Sequence, residues 1–228
     1  MFGKSENFII QKMKIILIKY TNWYILLYIC SIMVSKAEKT RQFIIEQTAP
    51  IFNSKGYAGT SLNDITEATG LTRGGIYGNF ENKDEVALAA FDYNFGRMNA
   101  YMKNKILACE SSIERLCAYP RVYRNFLKIP FLQPGCPILN TSTEADDTHA
   151  ALNEKAAGAL AYWKKSLENQ IKRGIARKEI SVRTNPAVTA VVIISLIEGA
   201  IMQAKVTRRS SELHMAMDFL EEYIRKLK

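Results

Sequence analysis

Apolar positions spaced three and four residues apart run from near Lys36 almost to the carboxy terminus. Ala37, Ile44, Thr48, Ile51 and Phe52 follow that spacing and predict a first helix, which Gly56 is expected to close as a C-cap. A second helix is expected to start at Ser61, where Asp64 three residues on makes a near relative of the capping box. Leu62, Ile65 and Ala68 form its inner face, and Gly70 ends it. Thr72 is placed to cap a third, short helix whose apolar residues are Ile76 and Phe80. Asn82 with Glu85 then opens a long helix through Val86 and Phe91 and past Met102.

The remainder repeats the pattern. Pro130, Pro134, Gly135 and Pro137 interrupt Lys128 to Asn140, so that stretch is expected to be an irregular connection. A long helix is expected from Asp146 to Arg177, carrying Leu152, Leu160, Trp163 and Leu167. Glu144, Asp146 and Asp147 read as acids at its solvated start, where carboxylates suit the helix dipole. Asn185-Pro186 opens a helix to about Lys205 that is apolar on nearly all sides around Val191 to Leu196. Leu213, Met217, Leu220, Ile224 and Leu227 mark the last helix. No alternating run is long enough for a sheet, and no segment repeats. The fold class is all-α.

Residues 1–32 form an atypical extension, with eight Ile, three Tyr and four Lys against one Glu. Trp23 to Val34 is almost free of polar groups and follows Lys4, Lys12, Lys14 and Lys19, as in a secretory or membrane segment. A spanning helix needs roughly 20 apolar residues, and extending back to Met13 takes in Lys14, Lys19 and Asn22. The composition also matches AT-rich DNA translated upstream of a start at Met33, which a solvated Val-Ser-Lys-Ala-Glu-Lys-Thr-Arg run follows. Both readings stay open.

Charge changes the picture less than its total suggests. The net charge is +9, but residues 36–83 hold six Lys/Arg against five Asp/Glu. A basic balance therefore does not itself point to nucleic acid. Cys30, Cys109, Cys117 and Cys136 include no CxxC pair and His149 and His214 lie far apart, so no zinc site has the required spacing. Cys136, between Gly135 and Pro137, would be a redox-sensing thiol if a cation or helix terminus lowered its pKa; a small buried turn residue is the plainer reading.

Two short helices joined by a glycine-containing turn match the helix-turn-helix pattern, in which the second helix enters the DNA major groove. Gly74 and Gly75 sit inside that second helix, where each costs up to about 1 kcal/mol relative to Ala. Small residues there suit close approach to a base edge or phosphate. Tyr77, Asn79 and Lys83 add hydrogen-bond donors, and Thr60 and Ser61 put hydroxyls and amides at a helix N-terminus, an anion-binding arrangement.

The run Thr60-Ser61-Leu62-x-x-Ile65-x-x-Ala68-x-Gly70-Leu71-Thr72-Arg73-Gly74-Gly75-Ile76-Tyr77-x-Asn79-Phe80-x-x-Lys83-x-x-Val86 resembles the TetR-family signature nearly position for position. Thr66, where the family usually has Ala, and Asn79, where many members have His or Tyr, are departures. The resemblance implies an N-terminal three-helix helix-turn-helix DNA-binding domain over 36–97 and a helical C-terminal ligand-binding and dimerisation domain over 98–228. It implies that Thr60, Tyr77, Asn79 and Lys83 touch phosphates, with Ser61 and Thr72 at the helix starts, while Arg73, Gly74 and Gly75 lie nearest the bases. Arg73 is the expected direct reader, with guanine its expected target.

The partners so implied are a double-stranded DNA operator, a small-molecule effector and a second copy of the chain, paired through helices near 185–205 and 211–227. Phe95, Met98, Tyr123, Phe126 and Trp163 are effector-pocket candidates, although aromatic residues at helical spacing are more often plain core. A cytoplasmic, ligand-responsive repressor acting on a palindromic site is the expectation. No nucleophile–base pair, phosphate loop, metal set or cofactor motif points to an enzyme. The rival is a membrane-associated helical adaptor anchored by residues 1–34.

Overall fold

The computed structural model describes residues 36–228, so both readings of residues 1–32 and the membrane anchor lie outside the described residues. The helical periodicity is realised as nine α-helices there, with no strand among the described residues: α1 Lys36–Gly59, α2 Leu62–Thr69, α3 Arg73–Tyr77, α4 Lys83–Leu107, α5 Ser112–Arg124, α6 Pro137–Ala145, α7 Ala150–Ala176, α8 Pro186–Thr207 and α9 Ser211–Arg225. Residues 36–42 are the mostly exposed first turns of α1, where the Thr40 hydroxyl donates to the Lys36 carbonyl at 2.9 Å. Residues 43–228 form the other unit, in which one core continues from Ile44 to Ile224.

Three expectations are corrected. Gly56 does not end the first helix: with φ 74° and ψ 179° it breaks the helix, and a further turn runs to Gly59. The irregular connection closes at Pro137, because proline at the first position of α6 lacks only an amide that a helix start leaves unpaired. Glu144 therefore sits in the last turns of α6, and α7 starts at Ala150 behind an N-cap from His149, whose Nδ1 accepts from the Leu152 amide at 3.3 Å. Helix α4 runs unbroken to Leu107, past position 97.

Helices α5 and α7 share a buried core of Leu116, Tyr123, Leu167 and Ile171, and α8 and α9 add Ile193, Ile197, Leu220 and Ile224. Glu114 and Glu221 bridge Arg121 and Arg225 at 2.7 to 3.0 Å, tying α5 to α9 at the surface. Helix α8 is long and apolar enough to cross a membrane by length and composition alone, but it packs against α7 and α9.

Cys136, at the N-cap of α6, donates to Glu198 Oε1 of α8 at 2.9 Å, leaving Glu198 Oε2 buried and unpartnered. Burial, followed by the adjacent Glu198 carboxylate, pushes the Cys136 thiol well above its ordinary range. A fully enclosed thiol of that kind is not a reactive thiolate, so the redox reading of Cys136 is set aside. Burial also pushes the Glu198 carboxyl from 4.5 up to about 7, with the Cys136 hydrogen bond opposing. Between those values the folded chain holds a proton that the unfolded chain has released, so stability falls as pH rises through the window and then levels off. Glu198→Gln should abolish that slope in melting curves from about pH 5 to about pH 8, leaving the variant the more stable protein at the upper end. An unchanged slope would place the titration elsewhere.

Candidate nucleic-acid interface

The α2–turn–α3 segment is assembled by local capping. Ser61 accepts from the Asp64 amide at 3.1 Å while Asp64 Oδ2 accepts from the Ser61 amide at 2.7 Å, completing the capping box. Gly70, at φ 66°, ends α2 in the left-handed region and returns its amide to the Thr66 carbonyl at 2.8 Å. Thr72 then accepts from the Gly75 amide at 3.2 Å and starts α3. Five residues are too few for a self-supporting helix, so buried Ile76 and Phe80 must hold α3 in place.

What α3 leaves outside is specific. Arg73, Gly74 and Tyr77 are exposed, and Arg73 donates from Nη2 to Asn63 Oδ1 on α2 at 3.2 Å. Asn79 donates from Nδ2 to the Gly75 carbonyl at 2.8 Å, closing the far end of the helix. A Cβ at Gly74 would meet nothing nearer than Thr72 Oγ1 at 4.0 Å. At Gly75 it would make ordinary contacts of 3.5 and 3.6 Å with Thr72 and Leu71. Neither glycine has positive φ. The fold itself therefore does not require glycine at either position.

Two expected site residues are turned to internal work. Thr60 is fully buried and its hydroxyl donates to the Gly56 carbonyl at 2.6 Å. At Ser61 the amide is taken by Asp64, whose carboxylate is also bound by Lys55 at 2.5 Å. Hydrogen bonds from Lys55, then from the Ser61 hydroxyl and amide, hold Asp64 below the usual carboxylate range, so an anion already occupies this helix start. Lys83 stands with its ammonium 4.2 Å from the centre of the Tyr57 ring, a cation–π contact at the start of α4.

Tyr57 gathers several other groups that sequence reasoning missed. Its hydroxyl donates to Asp84 Oδ1, and that bond together with burial pushes its pKa up to about 12. Its ring meets His149 edge-on at 4.5 Å. Its amide and that of Ala58 both donate to the Glu144 carboxylate at 2.8 Å. Glu144 thus caps the turn that follows the break at Gly56, and any side chain at 56 would collide with it. No sequence signal marks Glu144, which lies 87 residues from Tyr57.

Between α4, α5 and α7 lies a cavity of about 430 Å³. Phe95, Met98, Tyr123 and Trp163 line it. Phe126 does not: it is buried and stacks on Tyr123 at 6.0 Å.

Comparison with known proteins follows this division. Residues 44–90 match bacterial regulatory proteins of the tetR family, and residues 112–220 match the tetracyclin repressor-like C-terminal domain. A solved TetR-family transcriptional regulator from Cytophaga hutchinsonii is 46% identical, with a TM-score of 0.80 over 86% of this chain and 98% of that one. The chain is a TetR-family transcriptional regulator. An uncharacterized HTH-type transcriptional regulator of Lactococcus lactis subsp. lactis is 28% identical over 85% of this chain and 97% of its own length. The HTH-type transcriptional repressor DhaR of Mycobacterium sp. (strain GP1) is 24% identical over 76% and 86%.

In this TetR-family protein, Glu144 and His149 join the last turn of α1, just before the helix-turn-helix, to α6 and the start of α7. Glu144→Ala should lower stability by about 1–2 kcal/mol, since it leaves two amides without their acceptor. It should also weaken DNA binding although residue 144 lies outside the helix-turn-helix, with Glu144→Gln intermediate. Unaltered melting and gel-shift affinity in the alanine variant would show that this contact does not position the reader.

Proposed function

We propose that the protein is a ligand-responsive repressor that binds a palindromic double-stranded DNA operator as a homodimer in the cytoplasm. Arg73, Gly74 and Gly75 face the bases, with Arg73 reading guanine; Thr72, Tyr77, Asn79 and Lys83 lie along the phosphates. The observation that carries this reading is the room for a Cβ at Gly74 and Gly75, on a helix where alanine would fit and would favour the helix. Glycine there is explained by something outside the chain that must come close.

The second copy is supported by helices α8 and α9. Val188, Val191, Met202 and Val206 on α8 and Met215 and Phe219 on α9 are exposed apolar residues on adjacent helices. An apolar surface of that extent favours association, and two such helices from each copy form a four-helix interface. The effector is assigned to the cavity between α4, α5 and α7, where α4 leads directly back to Lys83 and Asp84 beneath the reader. Repression follows from occupancy, since a dimer seated on promoter DNA excludes polymerase; DhaR carries the name repressor.

Gly75→Ala tests the reader. Its melting temperature should equal or exceed that of the parent, while affinity for a fragment selected by the parent falls at least about tenfold. Retained affinity would remove the close approach. On the same fragment, Arg73→Ala should relax base preference, whereas Lys83→Ala should weaken all sequences alike and flatten the salt slope by about one unit. For the dimer, Met202→Glu combined with Phe219→Glu should convert a dimeric mass in light scattering to a monomeric one and abolish operator binding. A parent that is itself monomeric at micromolar concentration would contradict the assembly.

A further inference from the structure

The cavity has a chemical polarity that its aromatic walls conceal. Tyr119 and Trp163, whose rings stack at 6.4 Å with a 23° interplanar angle, give one wall an aromatic surface. Lys103, Arg115 and Arg173 also line it, and no Asp or Glu does. Arg115 is partly committed: its Nε donates to the Cys109 carbonyl at 3.0 Å, and its charge also faces Glu179. Neither Lys103 nor Arg173 has an ion pair among the described residues. Deeper in, Gln170 donates from Nε2 to the Tyr119 hydroxyl at 3.0 Å, and its Oε1 is buried with no hydrogen-bond partner. A buried amide oxygen without a partner is costly.

We propose that the effector is a flat aromatic carboxylate. Its ring lies against Tyr119 and Trp163, and its carboxylate meets Arg173 and Lys103. The size agrees, since about 430 Å³ lies in the range of small-molecule sites. Charge discriminates more sharply than shape here. An anion entering gains two cations that lack partners, whereas a cation must be desolvated beside them. This inference rests on the cavity being the effector site.

The chain has two tryptophans, so a Trp23→Phe background leaves Trp163 as the reporter inside the cavity. Biphenyl-4-carboxylate, biphenyl-4-carboxamide and 4-phenylbenzylamine differ in charge while nearly sharing a shape. Titrated against this background, the carboxylate should quench Trp163 with an affinity about tenfold above the amide, and the amine should bind weakest. In Arg173→Gln with Lys103→Gln the carboxylate should fall to the level of the amide, whose own affinity should hold. Equal affinity for all three, preference for the amine, or no quenching by any at millimolar concentration would overturn the proposal. A gel shift run alongside separates the two layers. Charge-indifferent binding that still releases DNA defeats only the carboxylate assignment, whereas carboxylate binding that leaves DNA bound defeats the effector reading of the cavity.

Discussion

Glu144 places both carboxylate oxygens on backbone amides of another helix, and the rest of the reader is hung from that contact. The break at Gly56 frees the amides of Tyr57 and Ala58, and without an acceptor the turn to Gly59 would lose its anchor. The turn in turn sets Thr60 inward, and Thr60 precedes the Ser61 cap that starts α2. Tyr57 carries the constraint to α4 through Asp84 and Lys83. The position of α3 is thus fixed from two directions, by its own buried Ile76 and Phe80 and by a carboxylate from α6.

That arrangement gives coupling a physical route. Helix α4 lines the cavity with Phe95, Met98 and Met102, and its first turn holds Tyr57. Helix α7 lines the same cavity with Trp163 and Gln170, and its N-cap His149 meets the same tyrosine ring. A molecule that spreads α4 from α7 acts on both sides of Tyr57 at once. Short contacts to one aromatic ring are sensitive to such movement, because hydrogen bonds and ring contacts weaken over fractions of an ångström.

The sequence disclosed what is local and concealed what is not. Ser61, Gly70, Thr72 and Asn82 are caps whose partners lie within four residues, and each is found where spacing places it. The all-α fold and the apolar character of α8 were legible for the same reason. Glu144 was misread as a helix-start acid because Pro137 opens α6 earlier than a proline-broken stretch suggests. The inward turn of the Thr60 hydroxyl onto the Gly56 carbonyl is equally hidden, because the break at Gly56 is held by Glu144. Tyr123 lines the cavity whereas Phe126 is buried against the tyrosine ring, and periodicity carries no such information. Gln170 is anonymous in sequence; its unpartnered oxygen exists only in three dimensions.

The central claim is that a paired, glycine-faced α3 reads DNA, and selection of bound fragments from a random duplex pool tests it most directly. The account predicts enrichment of two inverted half-sites whose centres lie about 10 base pairs, or a multiple of that, apart, since two-fold protein symmetry is mirrored in the site. Enrichment of a single unsymmetrical site, or no enrichment over the starting pool, would contradict it.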